Sequence, residues 1–303
     1  GVTYDDSGVH GLSLMEDGWT VRVVTSEPGL GATGEPTLAD LSANLTAVFG
    51  TDFGVHSATW ISRFTDATRQ AAAYRNGRVL LAGDAAHIHS PAGGQGIGLG
   101  VQDAVNLGWK LAQVVRADSR EDLLETYHSE RHPAAARALD YSMAASALQR
   151  RDPRIAAVRS LLDDLVVMDE PRRHVVGLIT GLDVHYDLGE GHPLLGRRMP
   201  DLDLVTDDGV RRVYSLLHTA RPLVVDLSGT AGPTAAPWAE RAPLVRASYD
   251  GAWELPVIGE VAAPGAVLVR PDGYVGWVGD ETPAGLAEAL TTWCGTPAPV
   301  RGA

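Results

Sequence analysis

The chain has 303 residues and a mass of 32.0 kDa, and its 45% hydrophobic and 21% charged residues are typical of a globular protein with a packed core. Its 25 basic and 38 acidic residues give a formal net charge of −13, which excludes the broad basic surface that nucleic acids and anionic membranes attract. One cysteine, Cys294, excludes a disulfide framework, a cysteine-based zinc site and a CxxC redox pair within these residues.

No apolar run approaches the roughly 20 residues that a membrane-spanning helix needs, and the first residues lack the pattern of a secretory signal peptide. We therefore expect a cytoplasmic protein whose partners include neither nucleic acid nor membrane. The opening elements are predicted as a hairpin over residues 12–25, a helix over residues 38–49 and a strand over residues 55–64. Residues 1–65 are interpreted as the back half of a sheet whose other strands are missing.

The middle of the chain is predicted to be helical after one short strand. Residues 78–83 form a compact apolar run that predicts a buried strand, and a glycine-dense loop then leads into a helix over residues 100–115. Further helices are predicted from residue 119 to Pro133, over residues 134–150 and over residues 155–168. A stripe at helical spacing is predicted to face the core from the first of these helices: Val101, Ala104, Val105, Gly108, Leu111, Ala112 and Val115.

Glycine and proline crowd residues 188–200 and predict a domain boundary there. Beyond it, a strand over residues 222–227 precedes a hairpin of residues 266–270 and 274–278, and a helix over residues 282–293 closes the chain. This order predicts a thioredoxin-like α/β domain over residues 200–303.

A glycine-rich loop is the most informative part of the sequence. Five glycines fall in the eight residues from Gly93 to Gly100, directly before the predicted helix. Glycine allows backbone N–H groups to approach a ligand, and a helix N-terminus adds partial positive charge. The loop therefore predicts a site for a phosphate or for an anionic ring edge, although its register does not match GxGxxG. The alternative is a flexible connector between strand and helix.

Asp84, His87 and His89 precede this loop and offer a second kind of chemistry. Asp84 follows the predicted strand, where its carboxylate can accept hydrogen bonds from ligand hydroxyls or cap the local turn. The HxH pair with Asp84 has the composition of a metal site, as in an amidohydrolase barrel. Such a barrel needs further ligands on later strands, and the helical stretch that follows supplies none in order. We therefore predict no metal site.

Several separated motifs resemble one known family. Gly83-Asp-Ala-Ala-His87, Pro91-Ala-Gly-Gly-Gln-Gly96 and Asp103-Ala-Val-Asn-Leu-Gly-Trp-Lys-Leu111 closely resemble the second FAD motif of class A flavoprotein monooxygenases. Residues 60–70, 127–133, 196–200 and 268–274 resemble the branch that hydroxylates aromatic polyketides and rifampicin. The resemblance implies an α/β (α+β) chain that forms the C-terminal portion of the fold. It implies three parts: a partial substrate-binding sheet (1–65), the C-terminal part of the FAD-binding domain with its following helices (66–199) and a thioredoxin-like domain (200–303).

The resemblance also implies roles for individual residues. Asp84 is expected at the ribityl or pyrophosphate region of FAD, and Pro91 is the expected catalytic-site residue, packed against the reactive flavin ring. The amides of Gly96, Ile97 and Gly98 are expected at the pyrimidine edge of the ring. The full cofactor-binding set is Asp84, Pro91, Gly94, Gln95, Gly96, Ile97 and Gly98.

Trp60 and Phe64 are predicted on one face of a strand and are candidates for the wall of the substrate pocket. Their alternative role is packing in the core of the sheet. Cys294 has no partner thiol, so we expect a buried structural thiol and a C-terminal domain without redox activity.

Two departures from the family pattern bear on the cofactor site. The family loop usually reads Gly-Leu-Asn-Thr-Gly, whereas this chain has Gly96-Ile-Gly-Leu-Gly100, so Gly98 replaces the asparagine. The βαβ unit bearing GxGxxG with which the family begins, and the family's later Asp-Gly motif, are not recognised in this chain. The chain is therefore expected to be a fragment or to work with a separate N-terminal FAD-binding segment, and to bind FAD weakly or not at all when alone.

The implied activity is hydroxylation of a large aromatic polyketide-type or antibiotic substrate by an FAD-dependent monooxygenase that uses NADPH or NADH and O2. A non-catalytic binding or assembly protein that retained the second half of the fold is the alternative. The missing GxGxxG unit favours that alternative, and the intact loop from Asp84 to Gly98 opposes it.

Overall fold

A computed structural model describes residues 1–5, 8–27, 34–91 and 94–297, and the chain has the mixed α/β architecture that the sequence predicts. An antiparallel sheet of three strands opens it: β1 (Val2–Asp5), β2 (Gly8–Leu14) and β3 (Val21–Val24). The predicted hairpin is confirmed, because Leu14 pairs with Val21 across the turn. The Asp17 carboxylate holds that turn by accepting hydrogen bonds from the Trp19 and Thr20 N–H groups at 2.9 and 2.8 Å.

The first helix, α1 (Leu38–Phe49), has the predicted bounds. Thr37 and Asp40 cap its first turn reciprocally, and Gly50 ends it in the left-handed conformation at φ +76°. Both signals are local, so the sequence alone locates this helix.

The strand predicted over residues 55–64 is wrong, since this described segment contains no strand. Its side chains still alternate: Trp60 and Phe64 are 79% and 62% exposed, while Ile61 and Arg63 are partly covered. Arg63 ties the segment to the Glu27 carboxylate at 3.3 Å. The alternating pattern suits an extended backbone, but a strand also needs a neighbour for its hydrogen bonds, and this segment has none in the described chain.

Short ladders replace the buried strand predicted over residues 78–83. The four strands are β4 (Arg69–Gln70), β5 (Arg75–Asn76), β6 (Val79–Leu80) and β7 (His87–Ile88); β4 pairs with β7 and β5 pairs with β6. Between β6 and β7 the chain makes a 3-10 turn at Gly83–Ala85.

The central helix α2 (Gly96–Val115) begins at Gly96 rather than at residue 100, and its burial is opposite to the prediction. The predicted core stripe is largely exposed, with Val101 at 57% and Val105 at 47%. The buried residues of the helix are Leu99, Asp103, Asn106, Trp109, Lys110 and Gln113. Polar residues are buried on this helix because the next long helix supplies charges that pair with them.

That next helix, α3 (Glu125–Leu148), continues through Pro133, so the break predicted there is wrong. Proline removes the hydrogen bond to the Ser129 carbonyl, but the buried residues Tyr127 and Ala135 anchor the helix on both sides of it. Two more helices follow: α4 (Pro153–Val166) and α5 (Asp169–Thr180), which Gly181 ends at φ +67°.

The carboxy-terminal part is built on a sheet of six strands. Its elements are β8 (Asp203–Thr206), β9 (Gly209–Arg212), α6 (Val213–Leu216), β10 (Leu223–Asp226), α7 (Gly232–Ala235), β11 (Leu244–Ser248), β12 (Trp253–Leu255), β13 (Gly259–Val261), β14 (Ala266–Val269), β15 (Val275–Gly279) and α8 (Leu286–Cys294). The strand order in the six-stranded sheet is β15, β14, β10, β11, β8, β9, and within it only β10 and β11 are parallel. The predicted strand, hairpin and closing helix are all confirmed.

A buried charge cluster joins the helices to this sheet. Glu130 on α3 accepts hydrogen bonds from Arg270 at 2.8 and 2.7 Å and from Lys110 on α2 at 2.8 Å. Burial opposes ionisation of Glu130, but the charges of Arg270 and Lys110 lower its pKa to about 2. We call Lys110, Glu130 and Arg270 the junction cluster. Among the described residues, no helix is long and apolar enough to cross a bilayer.

Candidate functional site

Asp84 lies in the 3-10 turn at Gly83–Ala85, with its side chain exposed. Gly83 adopts φ +58°, a left-handed conformation that favours glycine. The turn lies directly on α2, since a β-carbon built on Gly100 would be 3.5 Å from the Gly83 α-carbon. The structure therefore places Asp84, a predicted cofactor-binding residue, beside the first turns of α2.

Buried charges fix the position of this turn. Asp103 on α2 accepts a hydrogen bond from the Gly83 N–H at 3.1 Å, from His87 Nε2 at 2.7 Å and from Arg131 Nε at 2.8 Å. Burial raises the pKa of Asp103, but the His87 hydrogen bond and the Arg131 charge outweigh this effect and lower it. Asp103 therefore stays ionised and anchors the residue that precedes Asp84.

His87 is thus a hydrogen-bond partner of Asp103, in contrast to the metal-ligand role considered from its spacing. Within residues 1–5, 8–27, 34–91 and 94–297, no group of three or more His, Cys, Asp or Glu side chains has the arrangement of a metal site. Sequence reasoning missed the anchoring role of Asp103, because its partner Arg131 lies on a different helix.

The N-terminus of α2 presents backbone donors to open space. No side chain caps the helix at Gln95, Ile97 is 86% exposed, and Gly98 is also exposed. A β-carbon built on Gly94 or Gly98 would meet no atom within 4 Å. The N–H groups of a first helical turn have no intrahelical acceptor, so those of Gly96, Ile97 and Gly98 are available to a ligand.

Pro91 is exposed at the start of this loop, and its carbonyl accepts a hydrogen bond from the Gly94 N–H at 3.0 Å. Residues 92–93, between them, lie outside the described part. Just before Pro91, the Ser90 carbonyl accepts hydrogen bonds from Ser142 Oγ on α3 at 3.0 Å and from His89 Nδ1 at 2.7 Å. These bonds fix the backbone that carries Pro91, and no local signal in the sequence points to Ser142.

Two buried polar atoms at the loop have no hydrogen-bond partner among the described residues. One is His89 Nε2, which would lie 3.5 Å from a β-carbon on Gly96, and the other is Gln95 Oε1. Buried polar atoms are rarely left unpaired, so both are available to a ligand or water. The Nε2 atom of Gln95 is already engaged, because it donates to the Leu178 and Ile179 carbonyls at 2.8 and 2.9 Å.

The other predicted site residues lie outside this group. Trp60 and Phe64 are on the exposed segment 55–64, so their alternative role in a sheet core is wrong within the described chain. The structure thus brings together Asp84, Pro91 and residues 94–98 at one end of α2, without a described contact to either aromatic side chain.

Two family models match the chain: the FAD binding domain over residues 6–142 and the C-terminal region of aromatic-ring hydroxylases over residues 192–297. The chain belongs to the class A aromatic hydroxylases. FAD is the cofactor of this family.

Among the similar hydroxylases is 12-dehydrotetracycline 5-monooxygenase/anhydrotetracycline 6-monooxygenase of Streptomyces rimosus, 48% identical over 274 residues, which are 86% of this chain and 52% of the relative. Rifampicin monooxygenase of Streptomyces venezuelae is 46% identical over 94% of this chain and 56% of its own length. The solved structure of anhydrotetracycline hydroxylase from Streptomyces rimosus aligns with a TM-score of 0.84 at 42% identity, covering 98% of this chain and 60% of that one. The chain spans about half the length of the curated relatives it matches.

The described residues of this chain fit one half of FAD. Uncapped amides, open space at two glycines and an exposed carboxylate match the hydrogen-bonding needs of a flavin ring and its ribityl chain. Among residues 1–5, 8–27, 34–91 and 94–297, no GxGxxG run between a strand and a helix is found to hold the pyrophosphate and adenine half.

Proposed function

We propose that this chain is the part of an FAD-dependent monooxygenase that holds the flavin ring, and that the enzyme hydroxylates a large aromatic polyketide-type or antibiotic substrate with NADPH or NADH and O2. The observation that carries the proposal is the group of unpaired amides at the start of α2, beside the exposed carboxylate of Asp84 and beside Pro91. The names of the relatives support this class of substrate.

Each residue of the site has a distinct task in this proposal. The amides of Gly96, Ile97 and Gly98 donate hydrogen bonds to the pyrimidine edge and, with the α2 dipole, stabilise negative charge there. Asp84 accepts hydrogen bonds from ribityl hydroxyls, and Pro91 packs against the ring. The remaining members of the predicted set are Gly94, which supplies the turn, and Gln95, which contributes only its unpaired Oε1. Bound FAD supplies hydride acceptance from the nicotinamide and the activation of O2.

The remaining parts of the chain support this site. The exposed rings of Trp60 and Phe64, in the segment that follows the β1–β2–β3 sheet within residues 1–65, form one wall of the substrate pocket. Residues 66–199 complete the FAD-binding domain, and residues 200–303 form a thioredoxin-like domain, which the parallel β10–β11 pair flanked by antiparallel β14 supports. The adenine half of FAD is held by an N-terminal FAD-binding segment, which belongs to a longer protein of which this chain is a part or is a separate piece.

The experiment is a titration of the chain with FAD, followed by flavin fluorescence. We expect binding weaker than about 1 μM, because the described residues form no pyrophosphate subsite. Asp84→Ala is expected to weaken binding about tenfold further, the effect of losing a charged hydrogen-bond acceptor. The matched control Asp164→Ala, an exposed carboxylate on α4, should leave it unchanged. An unchanged affinity in Asp84→Ala would remove Asp84 from the site.

The named relatives favour the enzyme over the non-catalytic alternative. The colour and activity of the whole protein distinguish the enzyme from the non-catalytic alternative. A yellow protein that adds one oxygen atom to anhydrotetracycline or rifampicin at the expense of NADPH or NADH supports the enzyme, and a colourless protein that consumes neither supports the alternative.

A further inference from the structure

The tip of the β12–β13 hairpin is a strained turn. Leu255 pairs with Gly259, and between them the Ile258 N–H donates to the Pro256 carbonyl at 2.9 Å, which closes a γ-turn around Val257. Val257 has φ +73°, a conformation that is costly for a β-branched residue. Such strain persists only where the surroundings enforce it, so the contacts of Val257 need an explanation.

The Val257 side chain packs into a gap on α5. The gap is the position of Gly177, which is buried and has no side chain. A β-carbon there would collide with Val257 Cγ2 and would lie 3.0 Å from the Asp183 β-carbon. The hairpin tip and Gly177 are therefore complementary in shape, and the tip determines how closely α5 approaches the β12–β13 hairpin.

The residues that follow Gly177 on α5 hold the end of the glycine-rich loop that precedes α2. The Leu178 and Ile179 carbonyls accept both hydrogen bonds of the Gln95 side-chain amide, at 2.8 and 2.9 Å. Gln95 directly precedes α2, and its own carbonyl accepts the first helical hydrogen bond from Leu99 at 2.9 Å. A displacement of α5 therefore acts directly on the first turn of α2.

We propose that Val257, Gly177 and Gln95 are positioning residues that set the first turn of α2, and with it the amides of Gly96, Ile97 and Gly98, from the carboxy-terminal region. The consequence for flavin rests on the proposed function above, whereas the mechanical coupling does not. The coupling gives the carboxy-terminal region a role in the cofactor site that requires no redox chemistry.

The test is amide hydrogen exchange of the 303-residue chain, read at residues 99–103, the first hydrogen-bonded turn of α2, with FAD titration in parallel. Gly177→Ala should accelerate exchange there at least tenfold, because α5 must move away from Val257. Val257→Ala alone should accelerate it about threefold by leaving a gap. The double variant should return to within about threefold of the wild type, since the new methyl group occupies the space of the old one.

Two further variants control the test. Gly108→Ala, another helical glycine replaced where a β-carbon meets no atom within 4 Å, should leave exchange at residues 99–103 unchanged. Gln95→Leu should accelerate it while α5 itself stays protected. If Gly177→Ala does not fold, Val257→Ala and Gln95→Leu decide the coupling.

Normal exchange at residues 99–103 in Gly177→Ala, with faster exchange in α5, would overturn the proposal. A double variant as loose as Gly177→Ala would also overturn it, because the Val257 contact would then not be the link. A loosened turn with unchanged FAD affinity would keep the coupling and remove the α2 amides from the proposed flavin site.

Discussion

Apolar residues are buried in the carboxy-terminal sheet but largely exposed in the N-terminal region of α2. All four residues of β10 are buried between helices and neighbouring strands, whereas Val101 and Val105 of α2 are largely exposed. Strand β10 pairs with β11 on one side and with β14 on the other, while α2 has charged partners on one face and leaves about half of Val101 and Val105 uncovered by the described residues. Burial therefore follows from which partners the chain itself supplies, beyond what the pattern of any one element indicates.

The largest effect on stability is expected at the junction cluster, where charged rather than apolar side chains are buried. Glu130→Ala removes the carboxylate that pairs with buried Lys110, which keeps only its hydrogen bond to Asn106 Oδ1, and one of the two carboxylates that pair with Arg270, the other being Asp272. We therefore expect a loss of about 3–5 kcal/mol in the free energy of unfolding, measured by urea titration. The control is Glu125→Ala on the same helix, whose exposed carboxylate pairs with Arg75 at 3.0 Å. That pair should contribute less than about 1 kcal/mol. Equal losses in the two variants would contradict the role of burial.

Acid should remove the contribution of Glu130. Its pKa is lowered from 4.5 to about 2, so its stabilisation is complete above pH 4.5 and is lost as the pH falls toward 2. This shift corresponds to roughly 3 kcal/mol. We expect the difference in unfolding free energy between the wild type and Glu130→Gln to shrink over that range. A difference that is constant from pH 7 to pH 2 would exclude ionised Glu130 as its source.

The same truncation in the two regions tests the contrast directly. Val225→Ala in β10 removes fully buried methyl groups and should cost about 2 kcal/mol. Val101→Ala on the exposed face of α2 should change stability by less than about 0.5 kcal/mol in this chain. Urea unfolding of both variants measures the two values. A large loss from Val101→Ala would mean that another surface covers this face.

The smallest effect concerns Cys294 on α8. Burial raises the pKa of its thiol to about 12, so the reactive thiolate is scarce at neutral pH. A disulfide reagent such as DTNB should label the native protein far more slowly than the urea-unfolded protein. Cys294→Ser should leave FAD affinity within about twofold, the effect of a perturbation near 0.5 kcal/mol. Rapid labelling of native protein would show that the thiol is accessible.

Elements whose signals are local could be predicted from the sequence. Thr37 and Gly50 locate α1, and the turn at residues 271–273 locates the β14–β15 hairpin, because caps and turns depend on neighbouring residues. Residues 55–64 were mispredicted because strand formation requires a partner that the local pattern does not specify. The buried polar face of α2 was missed for the same reason, since Asp103 and Lys110 find their partners on α3.

Some features of the candidate site could likewise be predicted from local sequence, and others could not. The donors at residues 96–98 and the carboxylate of Asp84 follow from a glycine-rich loop before a helix, which is a local signal. The contacts that hold this loop come from far along the chain: Ser142 on α3 and the last turn of α5. The sequence could indicate that Gln95 belongs to the loop, but its side chain binds α5 through a contact that only the folded chain creates.

The buried amine of Lys110 can report whether the contact between α2, α3 and the carboxy-terminal sheet is intact. Lys110 is the single lysine of the sequence, and its side chain is fully buried within the junction cluster. Amine-acylating reagents can modify that side chain only when α2, α3 and the carboxy-terminal sheet separate. Mass spectrometry of the peptide that contains Lys110 gives the rate of its acylation. This rate therefore measures how often α2 and α3 separate from the carboxy-terminal sheet under native conditions.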